Sequence, residues 1–166
     1  MATIQKITPH LWFDKQAEEA ARFYASVFKD SRIGRINYYS NEGQEIHGME
    51  AGTVMTVEFW LEGQPFIALN GGSIFKFSES VSFLIHCDTQ EEIDYYWNTL
   101  KAGGDEKAQQ CGWLKDKYGL SWQVSPTVLA EMLGDAASER SQRVMKAMLQ
   151  MKKLDIAALK DAYEGK

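Results

Sequence analysis

The stretch FLIHCDTQEEIDYYWNTL, residues 83–100, lies without a gap over HLWFDKQAEEAARFYASV, residues 10–27, at an offset of 73 (83 − 10). Glu18 and Glu19 meet Glu91 and Glu92, while Phe23 and Tyr24 meet Tyr96 and Trp97. A second pair of segments repeats in the same order: WLEGQPFIALN, 60–70, over WLKDKYGLSWQ, 113–123, at an offset of 53 (113 − 60). The offsets differ because the second half lacks the long polar loop of the first, NEGQEIHGMEAG at 41–52. A duplication of this kind makes each half a copy of one supersecondary unit, so it governs how every element is assigned.

Each copy reads as strand, helix and hairpin. Residues 4–13, IQKITPHLWF, alternate and end in aromatics, the mark of a strand with one buried face. Asp14 stands where it would cap a helix whose Ala17, Ala20, Phe23, Tyr24, Val27 and Phe28 follow the spacing of one buried stripe. Residues 32–40 read as a second strand. TVMTVEFWL and QPFIALN are a third and fourth, joined through Glu62-Gly63, a strong hairpin signal. In the second half SVSFLIHC is a strand, and Thr89 with Glu92 forms a capping box. The helix that follows carries Ile93, Tyr96, Trp97 and Leu100 and ends at Gly103-Gly104. GWLKD and GLSWQVS form another hairpin, stopped by Pro126, and the remainder is helical. The expected architecture is α+β: two tandem βαβββ units, 1–72 and 79–126, in a single domain, with a helical tail over 127–166.

Composition narrows the partners. The chain has 166 residues, a net charge of −5 and a pI near 5.2, with no basic stripe. That argues against nucleic acid and anionic membrane surfaces as partners. No apolar run approaches the ~20 residues of a membrane span. The N-terminal MATIQKITPHLWF lacks the regions of a signal peptide. Cys87 and Cys111 are too few for a disulfide framework, so a reducing, cytoplasmic location is expected.

The blocks TPHLWF with EEAARFYASVF, VEFWLEGQPFIALNGG, QEEIDYYWNTL and above all QCGWLKDKYGLSWQVSP resemble the vicinal oxygen chelate superfamily, the glyoxalase and extradiol-dioxygenase fold. Within it the chain is similar to the PhnB-like branch, labelled 3-demethylubiquinone 3-methyltransferase-like, and the tail VMKAMLQMKKLDIAALKDAYEG fits as well. The resemblance implies a glyoxalase-like curved sheet or barrel and a homodimer. It carries no settled activity.

In metal-using members of that superfamily, ligands stand on the first and last strands of each unit. The gapless repeat puts His10 and Phe83 on the first strands, and Asn70 and Gln123 on the last. One imidazole, two neutral amides and a phenyl ring make a poor donor set for Zn, Ni or Fe, so no metal and no cofactor is expected. His86 maps onto Phe13 and is expected on the helix-facing side, and His47 in a solvent-exposed loop. Cys87 precedes a helix start and is the better candidate nucleophile of the two cysteines. Its competing reading is a buried small apolar residue. A methyltransferase using S-adenosylmethionine needs a glycine-rich turn opening a helix. The pair Gly71-Gly72 is followed instead by SIFKFSE, which has no helical pattern, so that activity is unsupported.

Alternation places His10 with Trp12, and Ser121 with Gln123, while Trp122 and Val124 face the other way. The superfamily geometry implies that the His10 and Gln123 faces look inward and that Trp122 is core. Trp12, Trp60 and Phe83, with Phe75 and Phe77 on a loop, would then wall a cavity. The expected function is binding of a small organic ligand, or metal-independent catalysis, with His10, Trp12, Asn70, Phe83 and Gln123 lining the site. His10 and Cys87 are the candidates for chemistry. The alternative is a dimeric interaction module with a filled cavity, whose tail presents Val144, Met145, Met148 and Leu149 as an apolar stripe. A metal-dependent isomerase or dioxygenase is argued against by Phe83 and Gln123.

Overall fold

The alternation of the first half does produce strands with one sealed face. A computed structural model describes residues 6–166, and the start of the expected first strand lies outside the described residues. The chain divides into two compact units, one running to Lys76 and one from Phe77. In the first, β1 (His10–Phe13), α1 (Ala17–Val27), β2 (Arg32–Tyr38), a short α2 (Gln44–His47), β3 (Val54–Leu61) and β4 (Gln64–Asn70) follow one another. The sheet order is β1-β4-β3-β2, with β1 parallel to β4 and the other pairs antiparallel. This is the complete βαβββ unit. Glu62 and Gly63 both take positive φ, at 48° and 76°, as the tight β3–β4 hairpin demands.

One face of this sheet is sealed by α1. Leu11, Phe13, Val57, Phe59, Leu61, Phe66 and Ala68 are buried on the sheet, and Ala17, Ala20, Ala21, Tyr24 and Val27 on the helix. Three alanines let the helix approach closely, and Tyr24 stacks on Phe59 with ring centroids 6.3 Å apart. Asp14 does not cap α1. The residue before the helix is Gln16, without a side-chain bond, and the first N–H is met from a distant strand, by Asn70.

The second unit contains β5 (Phe83–Cys87), α3 (Gln90–Lys101), a 3-10 turn (Glu106–Ala108), β6 (Trp113–Lys115) and β7 (Ser121–Pro126), then α4 (Val128–Met132), α5 (Glu139–Met148) and α6 (Ile156–Glu164). Its sheet order is β5-β7-β6, with β5 parallel to β7. The counterpart of β2 is missing. Residues 103–110 form turns, with one isolated bridge between Gln110 and Trp113, so this copy is βαββ. Neither sheet closes on itself into a barrel. Thr89 caps α3 as expected, its Oγ1 accepting from Glu92 N at 3.3 Å, and Glu92 reaches back one residue past the cap, its Oε2 accepting from Asp88 N at 2.8 Å.

The DKYG turn is organised by a buried carboxylate. Asp116, 2% exposed, accepts from Tyr118 N and Leu120 N on Oδ1 and from Trp122 Nε1 on Oδ2 at 2.8 Å. That bond holds Trp122 in the core, 3% exposed, where the superfamily resemblance implied it. The tail packs its own apolar cluster around Met132, Val144, Leu154 and Leu159. It is stitched to the second unit: Cys111 N and Gly112 N donate to Met151 O and Lys152 O, at 2.8 and 2.7 Å. Gln90 adds a two-ended clasp, donating to Leu154 O and accepting from Ile156 N. Among the described residues no helix is long and apolar enough to cross a membrane.

Candidate functional site

With α1 and α3 covering one face of each sheet, the opposite face is where side chains are free to meet a ligand. On the first sheet that open face is laid out in rows by the strand register. His10 lies beside Ile67 and Ile67 beside Glu58. Trp12 lies beside Leu69, Leu69 beside Thr56 and Thr56 beside Asn37. Asn37 Nδ2 donates to Thr56 Oγ1 at 3.0 Å. His10 and Glu58 flank Ile67 from two strands away, about 10 Å apart at the backbone. Glu58 is half-buried on the central strand, and among the described residues its carboxylate has no hydrogen-bond or ion-pair partner.

Trp12 is held at the edge of this face by the segment after β4. Its Nε1 donates to Gly72 O at 2.8 Å, and Phe75 meets it edge-on at 5.0 Å. Gly71 lies flat against the indole, where an added Cβ would sit 2.2 Å from it. The 41–52 loop is not simply solvent-exposed. His47 is half-buried, stacks on Tyr39 at 4.6 Å between centroids, and accepts from Met49 N on Nδ1. Tyr39 in turn donates its hydroxyl to Asn70 O at 2.6 Å, and burial raises its pKa.

Asn70 itself is on the helix-facing side. It is 8% exposed, accepts from Ala17 N at 2.8 Å and donates to Val54 O at 3.0 Å, which leaves no free end for a ligand. Phe83 also faces the helix side, packed against Trp122 at 5.6 Å. His86, expected against the helix, is exposed on the open face beside Ser125, and Leu84 lies beside Gln123. Of the five residues expected to line the site, His10 and Trp12 share one open face and Gln123 stands on that of the other sheet.

The physical reason is a single residue. The two helices superpose at an offset of 73, as Tyr24 and Trp97 show by both being buried. The connection from strand to helix, however, is one residue shorter in the second unit. Phe13 and Ala20 are the last buried strand residue and an early buried helix residue of the first, and Cys87 and Ile93 those of the second. The strands therefore match at 74, and Leu84 and His86 take the places of His10 and Trp12 (84 − 10 and 86 − 12). A slip of one residue sends every side chain of a strand to the other face. On the last strands Ile67, not Asn70, corresponds to Gln123.

The second sheet's open face carries Leu84, Gln123 and Trp113 in one row and His86 with Ser125 in another. Gln123 Nε2 donates to Ser82 Oγ at 2.9 Å. Lys115 pairs with Glu79. Cys87 is fully buried, and burial, with smaller contributions from Glu92 and Asp88, pushes its thiol up to about 12. The nearby helix start does not prevail, and the sulfur is protonated at neutral pH.

For a metal, the positions that face the same way on first and last strands are His10 with Ile67, and Leu84 with Gln123. Two aliphatic side chains among four offer no lone pairs, so the donor set does not fit a divalent transition metal. Among the described residues no three His, Cys, Asp or Glu side chains converge. The residue that sequence reasoning missed is Glu58. Its signal was present, a carboxylate between Val57 and Phe59 sharing parity with Thr56 and Trp60.

Comparison with known proteins agrees with this layout. The family model described as 3-demethylubiquinone-9 3-methyltransferase matches residues 5–125. Among solved structures, a PhnB protein from Bacillus cereus, described by the same activity, is 36% identical over 74% of this chain and 100% of its own, with a TM-score of 0.63. A protein from Pseudomonas aeruginosa is 16% identical over 75% of this chain and 98% of its own, TM-score 0.56. The fosfomycin resistance protein FosX from Mesorhizobium loti is 15% identical over 81% and 99%, TM-score 0.53. No curated protein matches the chain. The family match stops at residue 125, so α4, α5 and α6 lie beyond it. A duplicated strand–helix–hairpin unit with this match over most of its length places the chain in the 3-demethylubiquinone-9 3-methyltransferase, or PhnB-like, family.

Proposed function

We propose that the chain binds a small organic molecule on the open face of its first sheet. Ile67, Leu69 and Trp12 supply an apolar floor, and His10 and Glu58 supply an acceptor or donor on either side of it. The observation that carries this reading is Glu58, a half-buried carboxylate on a central strand without a described partner. A carboxylate there costs stability unless something hydrogen-bonds to it, and a ligand with a hydroxyl or amino group would do so. An imidazole facing that carboxylate across Ile67 also suits proton transfer without a metal, the form a catalytic version of this site would take. Gln123, on the open face of the second sheet, is a candidate hydrogen-bonding group of that sheet by itself, and a cytoplasmic homodimer is the expected setting.

The methyltransferase activity in the family's description is not extended to this chain. The glycine pair after β4 leads into a turn at 73–74 rather than a helix, and the first sheet is mixed instead of doubly wound. The test is a ligand screen by thermal shift on wild type, His10→Ala and Glu58→Gln. A compound that stabilises the wild type and loses that effect in both variants supports the site. Equal stabilisation of all three would remove these residues from it.

A further inference from the structure

The tail that lies beyond the family match contains a cavity of its own. After α4, Leu133 and Ala136 face α5 and the turn that ends it across about 400 Å³ of space, walled on the other side by Met145 and Leu149. Val144 of the expected stripe is buried in the tail's core, and Met148 is half-buried against it. Met145 and Leu149 are 40% and 50% exposed, so they are turned to this groove and to solvent rather than to the core. Gln142 and Lys146, one turn apart on α5, and Gln150, in the turn that follows it, stand along its rim.

A second depression of about 340 Å³ shares Gln142 and Lys146 and is completed by Glu139 and Arg143. The cations of α5 differ in what they are already doing. Arg143 donates to Ala162 O and Tyr163 O at 2.8 and 2.9 Å, closing the C-terminus of α6. Arg140 lies over the Tyr163 ring at 5.5 Å. Lys146 has no ion-pair or hydrogen-bond partner among the described residues. Ser141 is also spent, donating its hydroxyl to Met132 O at 2.7 Å. An apolar groove with one uncommitted ammonium and two amides at its rim calls for an apolar body carrying an anion. Glu139, at the far end of the second depression, repels that anion and confines it to the Lys146 side.

We propose that this groove binds an amphiphilic monocarboxylate, its alkyl chain between Leu133, Met145 and Leu149 and its carboxylate on Lys146, flanked by Gln142 and Gln150. The volume is at the lower end for ligand sites and suits a chain on the order of eight to ten carbons. Methionine walls adapt to such chains without a fixed shape. The groove shares no residue with the open face of the first sheet.

Calorimetric titration of the full chain with octanoate, decanoate and decanol below their aggregation limits tests it. Saturable one-site binding is expected, tightening up to about fourfold per added methylene. Lys146→Gln should weaken decanoate about threefold to fivefold while leaving decanol unchanged. Leu149→Gln should weaken both, with the circular dichroism of each variant unaltered. Absence of saturable binding to the wild type overturns the proposal, as does decanoate binding that neither substitution changes. Self-association of the wild type that Leu149→Gln abolishes also overturns it, since the groove would then be an interface between copies.

Discussion

Asn70 shows how much one amide does here. Its oxygen meets the first N–H of α1 and its nitrogen meets Val54 O, so one side chain ties the helix start to two strands. Asn70→Ala would leave both backbone groups unmet in a buried place, at a cost of about 2–4 kcal/mol read by urea unfolding. An unchanged midpoint would show that water replaces the amide. The role was legible in β4 alone, where Asn70 shares parity with the apolar Phe66 and Ala68. The gapless repeat hid it, because a one-residue difference in a connection leaves helical pairs almost unmoved and inverts strand faces. Cys87 yields a pH prediction. Its thiol is raised to about 12 in the fold, so the native state holds a proton that the unfolded chain releases above about pH 9. Stability from this group is whole below that pH and falls by about 1.4 kcal/mol per unit until the folded thiol itself ionises. Unfolding curves at pH 8 and pH 10 should therefore converge for wild type and Cys87→Ala as the pH rises. A gap of constant size would mean the thiol titrates alike in both states.

At the scale of the element, the second hairpin is held by Asp116 more than by its strands, since β6 spans only Trp113–Lys115. Three N–H groups converge on that carboxylate, one of them the indole of buried Trp122. Asp116→Ala should cost about 3 kcal/mol and increase quenching of Trp122 fluorescence by acrylamide, because the turn and the core side chain loosen together. Loss of stability with unchanged quenching would confine Asp116 to the turn. An acidic residue in DKYG is ordinary turn chemistry, but only the fold shows that its carboxylate reaches six residues on. The hairpins, the Thr89 cap and the glycine stop after α3 were legible because each is written in neighbouring residues. The missing strand at 103–110 was not. GGDEKAQQ carries no alternation, and the expectation of a strand there came from the duplication rather than from those residues.

At the scale of the whole molecule, the family match ends at 125, so the tail that resembled the branch lies beyond it, with its own apolar cluster. The tail is nevertheless no loose appendage. Cys111 and Gly112, both at positive φ (50° and 83°), turn their N–H groups toward Met151 and Lys152. Gly112 admits no side chain, since a Cβ would lie 2.7 Å from Val124 O. Leu154 is buried beside that glycine, and Gln90 of α3 clasps the chain on either side of Asp155. Removing residues 127–166 therefore strips hydrogen-bond acceptors and apolar cover from the second unit. The family match over residues 5–125 leaves the tail out, so the body is expected to fold without it. The shortened chain should keep a single cooperative transition with its midpoint lowered by about 5–10 °C, for a loss of about 2–3 kcal/mol. Scanning calorimetry separates the outcomes. An unchanged midpoint would make the tail an independent module whose contacts with the body carry no weight. Failure to fold at all would mean that the second unit, already short of one strand, depends on α4, α5 and α6 for its core.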